Sequence, residues 1–179
     1  MGLRNTTTRY GLIAKWLHWI IFLLLFCQVT GGYFLDFIPK EIRPVVYNIH
    51  KLIGITILVL MICRAIWALT NPKPLLPLST RLWEQLVERL IHFFLYLAVM
   101  AMALAGWIGA VAGGKPPHVG DLWLSLPIPV DKVIAKTAFS FHSTIAIILI
   151  ILVSIHAAAA LFHYFIKKDH VLQRMMSEH

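Results

Sequence analysis

The chain has 179 residues, of which 59% are hydrophobic and only 13% are charged, and its formal net charge is +8. Soluble domains carry roughly a quarter of charged residues, so this composition excludes an ordinary soluble domain and indicates an integral membrane protein. The basic excess fits the loops of a membrane protein and requires no nucleic-acid partner.

Four stretches are long and apolar enough to cross a bilayer, which takes ~20 residues in a helix. They are about residues 12–35, 45–69, 88–112 and 137–166. The first could be mistaken for a secretory signal, but it is too long and lacks a small-x-small cleavage site. The sequence predicts an all-α bundle of four transmembrane helices, forming one domain over residues 1–179.

The connections between these helices set the expected orientation. Asn71-Pro72-Lys73-Pro74, followed by Pro77, predicts a stiff loop between the second and third helices. More Lys and Arg lie on the side of this loop and the two termini than on the opposite side. Since basic residues concentrate on the cytoplasmic side, we expect both termini in the cytoplasm.

His142 and His156 are the most informative residues of the fourth helix, whose stretch over residues 137–166 contains no Asp, Glu, Lys or Arg. Their spacing of fourteen nearly completes four helical turns, so both imidazoles leave the same face, roughly 21 Å apart along the axis. Ionisable side chains at membrane depth are costly and usually functional. Two of them on one stripe suggest two metal centres stacked across the membrane.

The expected topology sorts further histidines by depth. His50 falls in the outer layer with His142, and His18 falls in the inner layer with His156. Two facing imidazoles in a bundle core are what a six-coordinate haem iron requires. The alternative is that these histidines only form hydrogen bonds between helices.

Small residues lie one turn from three of these histidines, at Gly54, Ala146 and Ala160. They leave room for a porphyrin, although small residues also let membrane helices approach closely. His92 has a depth similar to that of His18, so depth alone leaves open which of them faces His156. The other would form hydrogen bonds to a ligand, a propionate or a quinone.

Two further side chains are candidates near the inner layer. Arg64 lies fourteen residues after His50, where it could pair with a haem propionate or extend to the lipid headgroups. His163 lies two turns beyond His156 and could serve a quinone or a propionate, or simply face water. No Cys-x-x-Cys-His occurs, which argues against covalently attached haem.

With these residues placed, the chain resembles the bacterial cytochrome b561 family, which overlaps the b-type subunits of nickel hydrogenases. The resemblance covers nearly the whole chain. It rests on Lys15-Trp16-Leu17-His18-Trp19, Asn48-Ile49-His50 with Gly54 and Arg64, Phe141-His142-Ser143-Thr144, the run His156-Ala157-Ala158-Ala159-Ala160-Leu161-Phe162-His163-Tyr164, and the tail Leu172-Gln173-Arg174-Met175-Met176.

The resemblance implies two non-covalent haems b in the bacterial inner membrane. It implies that the outer haem is held by His50 and His142 and the inner haem by His18, rather than His92, together with His156. For the stand-alone form it implies electron transfer from periplasmic superoxide to ubiquinone.

Basic residues near the outer surface could steer superoxide toward the outer haem. Those between the third and fourth helices are Lys115, Lys132 and Lys136. Ordinary contact with lipid headgroups is the alternative. A quinone site close to the inner haem, at His163 or Arg64, and one near the outer haem are equally compatible with the sequence.

Two rival functions remain at this point. In the first, the haems carry electrons between quinone and a periplasmic dehydrogenase or hydrogenase. In the second, the protein is a small transporter without haem whose histidines relay protons. The second explains poorly why the histidines pair by depth.

Overall fold

The computed structural model of the chain describes residues 2–75, 80–169 and 171–176; Pro77, His170 and His179 lie outside the described residues. Four helices are long and apolar enough to span a membrane, so the predicted all-α membrane bundle is confirmed. These are α1 (Leu12–Phe34), α2 (Arg43–Thr70), α3 (Leu82–Ala112) and α4 (Lys132–Phe162), which continues into a π-helical turn (His163–Lys167).

Two helices begin earlier than predicted because polar residues cap them. The Glu84 Oε2 accepts a hydrogen bond from the Arg81 N–H at 3.0 Å, and α3 starts at Leu82 rather than near 88. The Asp131 Oδ1 accepts from the N–H of Val133 at 2.7 Å and of Ile134 at 2.9 Å, and α4 starts at Lys132 rather than near 137. Lys132 and Lys136 therefore lie on the first turns of α4. Apolar content alone predicts that they lie in the loop before this helix.

Helices that follow one another in the chain pack together: α1 on α2, α2 on α3 and α3 on α4. Their buried side chains form one cluster, whose members are Ile21, Leu25, Ile57, Met61, Ala98, Val99, Met102 and Leu149. Leu149 is fully buried and lies midway along the chain between His142 and His156. The cluster therefore occupies the middle of the bundle and leaves the two ends to the histidines.

One end of the bundle, here called the termini end, gathers both chain termini and the connection between α2 and α3. The Asn5 side-chain amide donates to the Pro72 carbonyl at 3.1 Å, and the Trp19 indole donates to the Met175 carbonyl at 2.8 Å. The Leu75 N–H also donates to the Thr7 carbonyl at 2.8 Å. The two termini and this loop thus lie on the same side of the bundle.

The opposite end, here called the hairpin end, carries a two-stranded antiparallel hairpin that the sequence did not predict. Its strands are β1 (His118–Val119) and β2 (Leu122–Trp123). Gly120 turns the chain with a φ of +56°, a conformation that favours glycine. The Asn48 side chain fixes the hairpin to the start of α2, donating to the His118 carbonyl at 2.8 Å and accepting from the His118 N–H at 3.0 Å.

We expect Leu149→Ala to lower the free energy of unfolding by about 2 kcal/mol, near the lower end of the range for buried leucines in soluble proteins. The loss is small because lipid is as apolar as the bundle interior, so the variant loses packing contacts but little transfer free energy. Thermal unfolding in detergent measures the change. Ile150→Ala is the matched control, since Ile150 is the next residue of α4 and is 48% exposed. Equal losses for both variants would contradict a packed centre at Leu149.

Candidate functional site

His50 on α2 and His142 on α4 face each other toward the hairpin end. Their ring centroids lie 6.3 Å apart with 69° between the ring planes. The His142 Nδ1 lies 2.8 Å from the Met102 carbonyl oxygen, which can only accept, so Nδ1 carries the proton. This leaves the Nε2 lone pair of His142 available to a ligand or metal.

His18 on α1 and His156 on α4 form the equivalent pair toward the termini end. Their centroids also lie 6.3 Å apart, with 64° between the ring planes. The depth matching inferred from the sequence thus brings these four side chains together in two pairs. Both pairs use α4, where the spacing of fourteen residues places one imidazole at each end of the helix.

The separation within each pair fits an iron between two axial imidazoles. A metal–histidine bond is about 2.0 Å and the nitrogen lies about 1.1 Å from the ring centre, so two axial rings have centroids about 6 Å apart. Rings in direct van der Waals contact can come closer than this. The donor set, two imidazoles in each pair, also suits a haem iron.

His92 lies beside the inner pair but has a different geometry. Its ring centroid is 5.1 Å from that of His156, closer than two axial imidazoles on one iron would be. Its Nδ1 lies 2.8 Å from the Glu88 carbonyl oxygen, one turn earlier in α3. The geometry therefore favours His18 over His92 as the partner of His156.

Arg64 extends into the bundle beside the inner pair rather than to the lipid headgroups. Its Nη2 lies 2.9 Å from the His18 Nδ1, and its guanidinium carbon is 5.4 Å from the centre of the Tyr96 ring. A guanidinium only donates, so the His18 Nδ1 accepts in this contact, which is the reverse of the bond at His142. The inner pair thus has a fixed positive charge next to it.

Glycines make room for the rings at the hairpin end, and sequence reasoning missed two of them. A Cβ at Gly106 would lie 2.8 Å from the His142 Nδ1, and one at Gly32 would lie 3.3 Å from the His50 Cε1. A glycine inside an apolar helix indicates that another group approaches the backbone closely. The sequence does not say which histidine ring that group is. Gly54 is more open, since a Cβ there would meet only the Gln28 amide at 3.8 Å. Ala160 is half-buried.

His163 lies at the termini end, where its Nδ1 is 2.6 Å from the Asp169 Oδ2. The adjoining Lys167 ammonium binds both Glu84 carboxylate oxygens, at 2.6 Å and 2.7 Å. The turn after α4 is thereby tied to the start of α3. His163 is half-buried and does not simply face water.

The three candidate steering lysines, Lys115, Lys132 and Lys136, are all exposed at the hairpin end. The Lys51 ammonium donates to the Lys115 carbonyl at 2.9 Å, which fixes the backbone there while leaving the Lys115 side chain in solvent. The hairpin end thus presents positive charge on its surface.

Residues 9–178 match the family described as prokaryotic cytochrome b561. The chain belongs to the prokaryotic cytochrome b561 family. It is 30% identical to cytochrome b561 homolog 2 of Escherichia coli (strain K12), over 99% of this chain and 96% of the relative. It is 27% identical to the probable superoxide oxidase CybB of Yersinia pestis, over 94% and 96%.

Membership of the cytochrome b561 family makes this chain a membrane b-type cytochrome of electron transport in bacteria. Another relative is cytochrome b562 of Cereibacter sphaeroides, at 28% identity over 89% of this chain and 90% of the relative. The transporter without haem, kept as a distant alternative from the sequence, is therefore wrong. The family resemblance read from the histidine motifs is confirmed.

We expect Gly106→Ala to reduce haem content, because the new methyl group would lie 2.8 Å from the His142 Nδ1 and displace the ring. A pyridine haemochromogen assay gives the haem-to-protein ratio. Gly31→Ala is the matched control, since a Cβ there meets nothing within 4 Å. Unchanged haem content in Gly106→Ala would show that the position of His142 does not matter for haem binding.

Proposed function

We propose that this cytochrome binds two haems b, one between His50 and His142 and one between His18 and His156, and transfers electrons from periplasmic superoxide to ubiquinone. The observation that carries the proposal is the pair of equal separations, 6.3 Å between ring centroids at both ends of one bundle. The same separation at both ends, close to the spacing of two imidazoles that bind one iron, supports two haem sites.

Two of the four histidines would hold each haem iron, His50 with His142 and His18 with His156. When bound, the haems supply reversible one-electron chemistry, while the protein sets their position and surroundings. Two histidines at each iron would leave superoxide to give up its electron without binding to the metal. The Met102 carbonyl would orient His142 through Nδ1, as is usual for histidines that bind metals.

The direction of transfer follows from the expected orientation. The positive-inside rule puts the termini end in the cytoplasm and the hairpin end in the periplasm. Exposed Lys115, Lys132 and Lys136 would then attract superoxide, a small anion, to the periplasmic end. The Yersinia pestis relative, whose name is probable superoxide oxidase, supports this choice of donor.

The acceptor reaction would take place at the termini end. Two superoxide anions would become two dioxygen molecules while one ubiquinone takes up two electrons and two protons. His163, with its Asp169 partner, lies where a proton could reach a quinone from the cytoplasm. Arg64 is the second quinone candidate, since a guanidinium can donate to a quinone carbonyl.

An apolar cleft at the hairpin end is a weaker candidate for the quinone. It has a volume of about 510 Å³ and lies between α3 and α4, with Ala101, Ala105, Ala138 and Phe141 among its lining residues. Thr137 is the one hydroxyl in this lining. The cleft suits a hydrocarbon tail better than a quinone ring that must accept protons.

Visible spectroscopy on the purified, oxidised protein tests the proposal. We expect enzymatically generated superoxide to reduce the Soret and α bands, and added ubiquinone to reverse the change. Superoxide dismutase is the control that removes the donor. Bands that dithionite reduces but superoxide does not would indicate the alternative role, a cytochrome b subunit between quinone and a periplasmic dehydrogenase or hydrogenase.

Arg64 provides a separate prediction about the inner haem. For His18 to bind iron through Nε2 as a neutral ring, Nδ1 keeps its proton and the guanidinium has to leave it. A haem propionate is the acceptor that a guanidinium prefers, so we propose that Arg64 pairs with one. Its positive charge would then favour the ferrous state.

We expect Arg64→Leu to lower the midpoint potential of the inner haem by about 60 mV, equivalent to about 1.4 kcal/mol for one electron. The potential of the outer haem should stay unchanged. A redox titration followed at the α band resolves the two. Arg89→Leu is the control, since Arg89 is exposed on α3 at the same end. Identical titrations for wild type and Arg64→Leu would contradict a pairing of Arg64 with a haem propionate.

A further inference from the structure

A half-enclosed cavity lies at the termini end, outside the histidine sites. Its volume is about 210 Å³, enough for one phosphate group with a few waters at about 30 Å³ each. We call it the N-terminal pocket. Its lining residues are Gly2, Arg4, Thr6, Arg9, Tyr10, Gly11 and Lys15. Three of the seven are cationic and none is acidic, so the pocket favours an anion.

Lys15 is the feature that points to a ligand. It is only 8% exposed, and no carboxylate or hydrogen-bond acceptor among the described residues pairs with its ammonium group. The ammonium nitrogen is not among the buried side-chain atoms without a partner, so it stays accessible at the end of a side chain that is otherwise enclosed. Charged groups in such enclosed positions are normally paired or hydrogen-bonded. Because the side chain lines the pocket, an anion bound there would supply the missing partner.

The walls of the pocket are fixed by contacts with the rest of the protein. The backbone of Leu3 and Arg4 crosses so close to Gly11 that an added Cβ would lie 2.3 Å from the Leu3 carbonyl oxygen. The buried Asn5 side chain accepts from the Gly11 N–H at 2.9 Å and donates to the Pro72 carbonyl at 3.1 Å. The N-terminal segment is therefore held against α1 by specific bonds.

The start of α1 adds to the positive potential. Gly11 occupies the N-cap without any side-chain hydrogen bond, and the first turn contains no acidic residue. The Leu12 N–H donates to the Gly2 carbonyl at 3.1 Å, and the helix dipole adds positive potential at this end of α1. Burial raises the pKa of Tyr10, with Glu88 adding to the effect, so its hydroxyl stays protonated and can donate.

We propose that the N-terminal pocket binds the phosphate group of an anionic phospholipid headgroup in the leaflet at the termini end. Depth favours a lipid over free phosphate, because Lys15 opens the first membrane span. Trp16 and Trp19 follow it at 64% and 37% exposure, and exposed tryptophans concentrate at the level of the headgroups. Basic side chains at that level attract anionic lipids.

The experiment titrates the haem-loaded protein with phosphatidylglycerol and, separately, with phosphatidylcholine and inorganic phosphate, and counts bound ligand by native mass spectrometry. We expect phosphatidylglycerol to bind and Lys15→Gln to weaken it about tenfold, the loss expected for one charge-assisted hydrogen bond. Arg4→Gln, at an exposed position, should weaken it in the same direction. Lys168→Gln is the control, since Lys168 is an exposed lysine at the same end.

The outcomes separate the possible anions. Loss of phosphatidylglycerol binding in Lys15→Gln and Arg4→Gln, with wild-type binding in Lys168→Gln, supports the lipid site. Inorganic phosphate that competes equally overturns the choice of a lipid. Lys15 lies three residues before His18, so a haem propionate is the other source of negative charge. A changed haem potential in Lys15→Gln with unchanged lipid binding would overturn the proposal in favour of the propionate.

Discussion

The structure depends on the pairing of imidazole rings across an apolar bundle. A polar ring at membrane depth needs a partner, and the fourteen-residue spacing of His142 and His156 lets one continuous helix supply a ring at each end. His50 and His18 meet them from two other helices, with 6.3 Å between centroids in each pair. The buried cluster around Leu149 fills the space between the pairs and keeps them apart.

The third helix contributes no member of either pair but controls the orientation of the rings. The Met102 carbonyl fixes the proton of His142, and Gly106 gives that ring the space it occupies. Nearer the other end, the Glu88 carbonyl holds His92 beside His156. The two sites differ in charge: a neutral carbonyl faces one ring, while the Arg64 guanidinium faces the other. The bundle is therefore symmetric in geometry and asymmetric in electrostatics.

Much of this follows from sequence because hydropathy and helical spacing are local properties. The four helices and the depth of His18 and His156 could be read directly, since a span of fixed length determines the depth of each residue. The starts of α3 and α4 could not, because the caps at Glu84 and Asp131 lie outside the apolar runs. Nor could the contacts of Arg64, whose direction depends on how α1 and α2 pack.

The termini end combines two different uses of positive charge. Arg64 lies within the bundle against His18, where it acts on the proposed inner haem at close range in a medium that screens charges weakly. Lys15 lies three residues before His18 in the sequence but lines the N-terminal pocket. A phosphate bound there, as proposed, would bring negative charge within about one helical turn of the same histidine and oppose the effect of Arg64. The anionic lipid content of the leaflet would then tune the inner haem, while the outer haem, beyond the Leu149 cluster, would be insulated from it.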